Sequence, residues 1–418
     1  MACTCFNNIS GGTKVRVYQE QSGGVAGPKG YRAAGVHCGV RKVKKDLALL
    51  YSTVPATAAA VFTTNSVVAA PVMVDRFQLS RSPRVQAIIV NSGNANACTG
   101  ERGLNDAWAM VRETARKLGI AEDAVLVSST GVIGQYLPMN NILEGIGLAV
   151  SALDVGGAPD AAEAIMTTDT FPKEASVRMV LGGTEVTLGG MAKGSGMIAP
   201  NMATMLAFVT SDVAISPEVL QTALKQAVDR SFHRISVDGD TSTNDMVAVL
   251  ANGLAGNQLI ATIQDPSYPL FYAALEFLLI KLAKMIVVDG EGATKFVEVK
   301  VVGAASEAAA VRAGRSIANS NLVKTAMNGE DANWGRVLAA LGSSGISFDA
   351  TQVEISFGTV PILRKNYNID FSEEEAKRVL GQKEVTITVN LNQGGSTASF
   401  WTCDLSREYV AINANYRT

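Results

Sequence analysis

Imidazole is nearly absent: 418 residues contain two histidines, His37 and His233. No His-Glu-x-x-His occurs, and a Ser-His-Asp triad would have to recruit one of these two. Any chemistry is expected to run without imidazole. Cysteine is scarce as well. Cys3, Cys5, Cys38, Cys98 and Cys403 are odd in number and widely scattered, which fits a reducing compartment better than a disulfide framework. A zinc site from Cys3, Cys5, His37 and Cys38 is the weaker alternative to a set of incidental thiols.

Long hydrophobic runs are missing too. The longest candidate, residues 275–288, is cut by Glu276, Lys281 and Lys284, short of the roughly 20 apolar residues a bilayer demands. A soluble protein with no membrane partner is expected. Neither sign of charge dominates, with 36 basic against 38 acidic residues. Without a basic block or an interleaved aromatic stripe, nucleic acid is not an expected partner. The N-terminal residues show no signal or transit composition, so the expected location is the cytoplasm, with an organelle matrix left open.

What the chain does have is apolar mass, 47% of its residues, ample for a sizeable core. Residues 46–51, 59–64 and 85–90 read as strands bounded by Gly, Pro or Asn. Residues 91–100 and 128–134 read as polar, glycine-bearing loops. Leu104, Ala107, Trp108, Val111, Ala115 and Leu118 recur at helical spacing, and Gly119 supplies the stop. Two runs around Gly182-Gly183 predict a hairpin. Further strands are expected at 205–209, 246–250 and 295–302, helices at 217–230, 269–288, 307–320 and 334–341, and hairpins around Gly358-Thr359 and residues 392–395. Strands come in clusters and helices in separate blocks, so the predicted class is α+β rather than a doubly wound sheet. A change of lobe is expected near residues 253–266.

Three stretches carry candidate chemistry. Gly194-x-Gly196-x-x-Ala199 matches the dinucleotide fingerprint as a pattern, but Pro200 biases Ala199 away from helical angles and a strand follows, so no helix N-terminus is offered to a pyrophosphate. Residues 238–245, Asp-Gly-Asp-Thr-Ser-Thr-Asn-Asp, alternate oxygens as a hard-cation site does, yet lack the EF-hand glycine and distal glutamate in register. A turn satisfied by its own carboxylates is the better reading. Thr204 is the third. A threonine hydroxyl becomes a nucleophile beside a base, and its own α-amine is one once the preceding peptide bond is cut. A buried threonine at the start of a strand is the bland alternative.

Residues 193–206 resemble the self-cleaving segment of the glutamate N-acetyltransferase (ornithine acetyltransferase) family. Residues 91–100, 128–134, 167–170, 236–246, 289–295, 330–336 and 409–418 are similar to that family's other recurrent segments, in family order, so the resemblance spans nearly the whole chain. It implies a layered α/β/β/α-type core with a smaller C-terminal α/β lobe. It also implies self-cleavage between Ala203 and Thr204 into an α chain, residues 1–203, and a β chain, residues 204–418. Of the latter, 204–260 would complete the core and about 261–418 form the second lobe. The two chains would assemble as a heterotetramer or larger.

The resemblance further implies acetyl transfer from N2-acetylornithine to glutamate, in arginine biosynthesis, by a ping-pong route through acetyl-Thr204. Thr130 and Gly131 would form the oxyanion hole, and Thr170, Lys193, Glu291, Asn413 and Thr418 would bind substrate. Thr167 and Thr168 compete with Thr170. A lysine suits a substrate carboxylate and a glutamate an ammonium group, although both also read as paired surface charges. No cofactor or metal is expected, and acetyl-coenzyme A stays open as a second donor. The rival readings are an autoproteolytic N-terminal-threonine peptidase or amidohydrolase, and a nucleotide-binding module with an intact chain.

Overall fold

The computed structural model describes residues 18–199 and 205–415. Its first ten strands are β1 (Tyr18–Gln21), β2 (Tyr31–Val36), β3 (Leu47–Phe62), β4 (Arg84–Asn94), β5 (Val125–Val132), β6 (Lys173–Leu181), β7 (Thr184–Lys193), β8 (Leu206–Ser211), β9 (Ile235–Ser236) and β10 (Met246–Ala251). Nine of these build one sheet, ordered β1-β6-β7-β8-β10-β3-β4-β5 with β2 also on β3. The long strand β3 joins two half-sheets. Leu47 to Ser52 pair with β2, Thr57 to Phe62 pair with β10, and the β4 register shifts between Tyr51 and Ala56.

Alternation of side chains along a strand turns this bend into layers. Ala48, Leu50, Ala58 and Ala60 enter one cluster with Ile88, Leu126, Met191, Phe208 and Leu250, drawn from both half-sheets. Leu47 and Leu49 point the other way, where helices α1 (Ala70–Arg81), α2 (Gly100–Leu118) and α3 (Met139–Ser151) cover them. Small helix α4 (Ala158–Ala164) packs on β2 and β3 within the inner cluster. Helices α5 (Pro217–Asp229) and α6 (Tyr268–Val288) cover Val177, Leu188, Val209 and Val249 on the outside of the second half. The order is helix, sheet, sheet, helix, the layered α+β arrangement expected. Each fully buried Leu, Ile or Val contributes roughly 1.5–3 kcal/mol by leaving water.

The second lobe comprises β11 (Phe296–Ala304), β12 (Glu354–Phe357), β13 (Val360–Arg364), β14 (Asn368–Ile369), β15 (Glu384–Asn390) and β16 (Ser396–Cys403). Around them stand α7 (Glu307–Ala318), α8 (Asn321–Asn328), α9 (Trp334–Gly342) and α10 (Glu373–Leu380), and α11 (Arg407–Asn415) follows β16. Its sheet runs β14-β13-β12-β15-β11-β16-β9, so β9 of the first lobe adds a parallel edge to β16 and knits the lobes together. Ser306 and Ser320 accept the Ala309 and Val323 amides and so start α7 and α8 as separate helices. Helix α6, placed by sequence reasoning in the second lobe, packs against β6 and β7 of the first sheet instead. Its long apolar face needs that sheet to be buried.

The hairpin forms as predicted: β6 and β7 pair antiparallel around Gly182 and Gly183, whose φ values of 55° and 85° are those a tight primed turn requires. Residues 91–94 and 128–132, read as loops, continue β4 and β5. The Ser129 hydroxyl donates to Asn91 Oδ1 at 2.6 Å, so side chains that favour turns bond across the strands instead.

Candidate active site

Strand ends and one helix meet at a cavity of about 120 Å³. Thr130 and Gly131 from β5, Lys193 from the end of β7, Glu291 from the turn after α6, and Asn413 from α11 line it. Gly131 has φ 133°, and a Cβ there would lie 2.3 Å from the Gly93 carbonyl carbon, so no other residue fits this strand crossing. Asn244 bridges the wall, donating to Ala95 O at 2.6 Å and Ser129 O at 2.8 Å. Thr130 is therefore held from the residue before it.

Lys193 is 2% exposed, and its Nζ donates to Thr167 Oγ1 at 2.8 Å. Burial pushes its ammonium down from the ordinary lysine range, against the pull of Asp169 and with the push of Lys173. The next residues turn sharply. Gly194 N donates to Asp169 Oδ1 at 2.7 Å, and Glu291 N donates to Ser195 O at 2.9 Å. A Cβ on Gly196 would meet Glu291 Oε2 at 2.3 Å, so the missing side chain makes room for that carboxylate. Glu291 Oε2 also accepts from Asn413 Nδ2 at 2.8 Å.

Behind the wall lies a wholly buried cluster that sequence reasoning did not single out. Lys173 Nζ sits 2.6 Å from Asp169 Oδ1 and 2.5 Å from Asp289 Oδ2. Burial opposes ionisation of Asp169, but Lys193, Lys173 and the Gly194 amide outweigh it and hold the carboxyl well below the usual range. The cluster ties the 193–195 turn to the 289–291 turn. The available signal was the lone aspartate inside Thr167-Thr168-Asp169-Thr170; nothing in the sequence pairs it with Lys173 and Asp289.

Of the three neighbouring threonines, Thr167 and Thr168 line the cavity. Thr170 is exposed and donates to Asp289 through both its amide and its hydroxyl, a structural role at the edge of the cluster. Ala203, Thr204 and Thr418 lie outside the described residues, as do Pro200 and the cysteines Cys3 and Cys5 of the zinc alternative.

In the acidic stretch 238–245, Asp238 and Asp245 accept from backbone amides. Asp238 accepts from the amides of Met197 at 2.6 Å, Ile198 at 2.9 Å and Asp240 at 3.2 Å. Asp245 Oδ1 accepts from Met205 N at 2.8 Å. The two aspartates thus hold the chain on either side of residues 199–204. Among the described residues the next element after the glycine-rich turn is strand β8, not a helix whose N-terminus could face a phosphate.

A layered α+β core around a small cavity, with a buried lysine on one wall and a carboxylate on another, has the form of an enzyme's active site. Comparison with known proteins gives the family. The ArgJ family model matches residues 32–418, and the chain belongs to that family. The arginine biosynthesis bifunctional protein ArgJ of Symbiobacterium thermophilum is 54% identical over 400 residues, 95% of this chain and 99% of that protein. A crystal structure of the arginine biosynthesis bifunctional protein argJ from Bacillus halodurans is 46% identical, with TM-score 0.43, over 44% of this chain and 98% of the other. An ornithine acetyltransferase from Mycobacterium tuberculosis, solved with ornithine, is 38% identical with TM-score 0.40 over the same shares.

Proposed function

We propose that this chain transfers the acetyl group of N2-acetylornithine to glutamate by a ping-pong mechanism, after cleaving itself between Ala203 and Thr204. One observation carries the reading: Thr130, Gly131, Lys193, Glu291 and Asn413, which the family resemblance gathers from separate stretches, line a single cavity. The new N-terminal Thr204 hydroxyl is the nucleophile, with its own α-amine as base. It attacks the acetyl carbonyl, ornithine leaves, and glutamate takes the acetyl group from the threonine ester. One covalent stop lets one site serve both amino acids.

Thr130 and Gly131 stabilise the tetrahedral oxyanion of each half-reaction. Lys193 holds a substrate carboxylate, and Glu291, oriented by Asn413, holds an ammonium group. Thr167 and Thr168 supply hydroxyls, while Thr170 secures their turn through Asp289. By the family resemblance Thr418 is a further substrate-binding residue. Acetyl-coenzyme A is the second donor, in keeping with the word bifunctional in the relatives' names. The α and β chains stay together as a heterotetramer or larger assembly in the cytoplasm; no helix among the described residues is long and apolar enough to cross a membrane.

A denaturing gel and a transfer assay test this together. Two bands that become one in Thr204→Ala, with acetylglutamate formed from acetylornithine and a parallel-line kinetic pattern, are expected. Release of free acetate in place of transfer would favour the hydrolase alternative, and an intact wild-type chain would contradict self-cleavage.

A further inference from the structure

One side-chain amide closes a circuit of hydrogen bonds around Thr130 and Gly131. Asn244 stands just before β10, is buried, and lines the cavity with them. Its Nδ2 donates one hydrogen to Ser129 O at 2.8 Å and the other to Ala95 O at 2.6 Å. Ala95 N in turn donates to Val132 O at 2.9 Å. The circuit therefore runs from Asn244 through Ser129, Thr130, Gly131, Val132 and Ala95 back to Asn244.

Both carbonyls can only accept, so the nitrogen of the Asn244 amide has to face them and its oxygen the other way. The Thr243 hydroxyl holds that orientation by donating to Asn244 Oδ1 at 2.5 Å, and Ser242 Oγ accepts the Asn244 backbone N–H at 3.1 Å. Every polar atom of the side chain is in use. With both hydrogens spent on protein carbonyls, the amide has none to give a substrate.

The strand is irregular at the place this clip holds. β4 and β5 pair in parallel from Ala87 and Val125 as far as Gly93 and Gly131, but Asn94 is then partnered with both Thr130 and Val132. Gly131 has φ 133°, outside the range of ordinary strand residues. The ladder alone does not dictate such a backbone. Because a peptide group is planar, fixing the Ser129 carbonyl also fixes the direction of the Thr130 N–H. The bond from Ala95 anchors the residue on the far side of Gly131.

We infer that Asn244 is the positioning residue of the oxyanion hole, presetting Thr130 and Gly131 for the charge that develops on the acetyl carbonyl oxygen. This rests on the acetyl-transfer reading above. Asn244 acts through the backbone of β5 and not on the substrate. The acetyl oxygen becomes an anion twice, once as the enzyme takes the acetyl group and once as glutamate removes it, so loosening the clip slows both half-reactions alike. Substrate charges are held elsewhere in the cavity, by Lys193 and Glu291, so ground-state affinity does not follow the rate.

Single-turnover kinetics of Asn244→Asp test this, because aspartate keeps the shape and offers at most one hydrogen in place of two. Rapid mixing with acetylornithine times formation of the acetyl-enzyme, and mixing the isolated acetyl-enzyme with glutamate times its discharge. Both rate constants are expected to fall about tenfold or more, by similar factors, with an unchanged Kd for ornithine by calorimetry. A merely structural loss would lower the amplitude of acetylation and leave the rate constants alone. Wild-type rate constants in the variant overturn the inference and leave acetyl transfer standing. Slowing confined to one half-reaction, or ornithine affinity lost in step with the rate, overturns it too. If Asn244→Asp does not fold, Thr243→Val, which removes the hydroxyl that orients the amide, has to show the same paired slowing at about threefold or more. Unchanged rates there overturn the inference. A wild-type enzyme that never carries an acetyl group overturns the acetyl-transfer reading itself, and the inference with it.

Discussion

Lys173 stands between two carboxylates, its Nζ 2.6 Å from Asp169 and 2.5 Å from Asp289, with no exposed side-chain surface. Through Asp169 it reaches Gly194 N, and through the Asp289 carbonyl, which accepts from Ser195 Oγ at 2.6 Å, it reaches the other side of the same turn. Replacing Lys173 by Met removes the cation nearest to two buried carboxylates. The expected loss is about 3–5 kcal/mol, read by urea denaturation. Asp169 is depressed in the folded state, so its share of stability is present above about pH 4 and disappears as pH falls below that. The difference between wild type and Lys173→Met should therefore narrow in acid.

Asp75 has the opposite sign. It lies in α1, 0% exposed, with Oδ1 accepting Val127 N at 2.8 Å and Oδ2 without a hydrogen-bond partner among the described residues. Burial, against the pull of that amide, raises its carboxyl well above the usual range. Its stability is fully present below about pH 4 and is lost as pH rises through the raised value, ~1.4 kcal/mol per pH unit in between. Asp75→Asn should match wild type near pH 4 and be the more stable protein at pH 8. Equal pH dependence of the two would refute this.

Two glycines of the cavity wall should fail differently when changed to alanine. At Gly131 the new Cβ meets backbone, at φ 133°, and nothing can give. Strand β5 shifts, and kcat for acetyl transfer should fall about 10²–10³-fold, the scale of losing one oxyanion donor. At Gly196 the Cβ meets the end of the Glu291 side chain, which can swing away. Here KM should rise more than kcat falls, as steady-state kinetics with acetylornithine and glutamate would reveal.

Legibility in the sequence followed locality. The hairpin at Gly182-Gly183, helix α2 with its Gly119 stop, and long helix α6 were readable because turn chemistry and apolar period act within a few residues. Helices α8, α10 and α11 were not foreseen: α8 and α10 run for only eight residues each, and α11 buries no residue fully. The strand identity of residues 91–94 and 128–132 was hidden by Asn, Ser and Gly, which belong there for bonds made across β4 and β5. The cavity residues Lys193, Glu291 and Asn413 came from family resemblance, not from pattern. The roles of Asp238 and Asp245 were misread as a turn satisfied within itself, because their partners Met197, Ile198 and Met205 lie about 40 residues away.

Glu291→Gln separates charge from shape. The amide can still accept from Asn413, so the wall stays in place while the negative charge disappears. An ammonium-bearing substrate loses a charge-assisted bond, which is roughly twice as strong as a neutral one. KM for both acetylornithine and glutamate should rise at constant fold. An unchanged KM for both would place the ammonium group elsewhere.

The central claim, that Thr204 becomes an N-terminal acetyl carrier, is tested most directly by intact mass measurement after rapid mixing of the protein with acetylornithine and no acceptor. The account predicts two chains, with one acetyl group added to the fragment beginning at Thr204 and removed when glutamate is supplied. An uncut chain, or a cut chain that forms acetylglutamate while never carrying the acetyl group on Thr204, would contradict it.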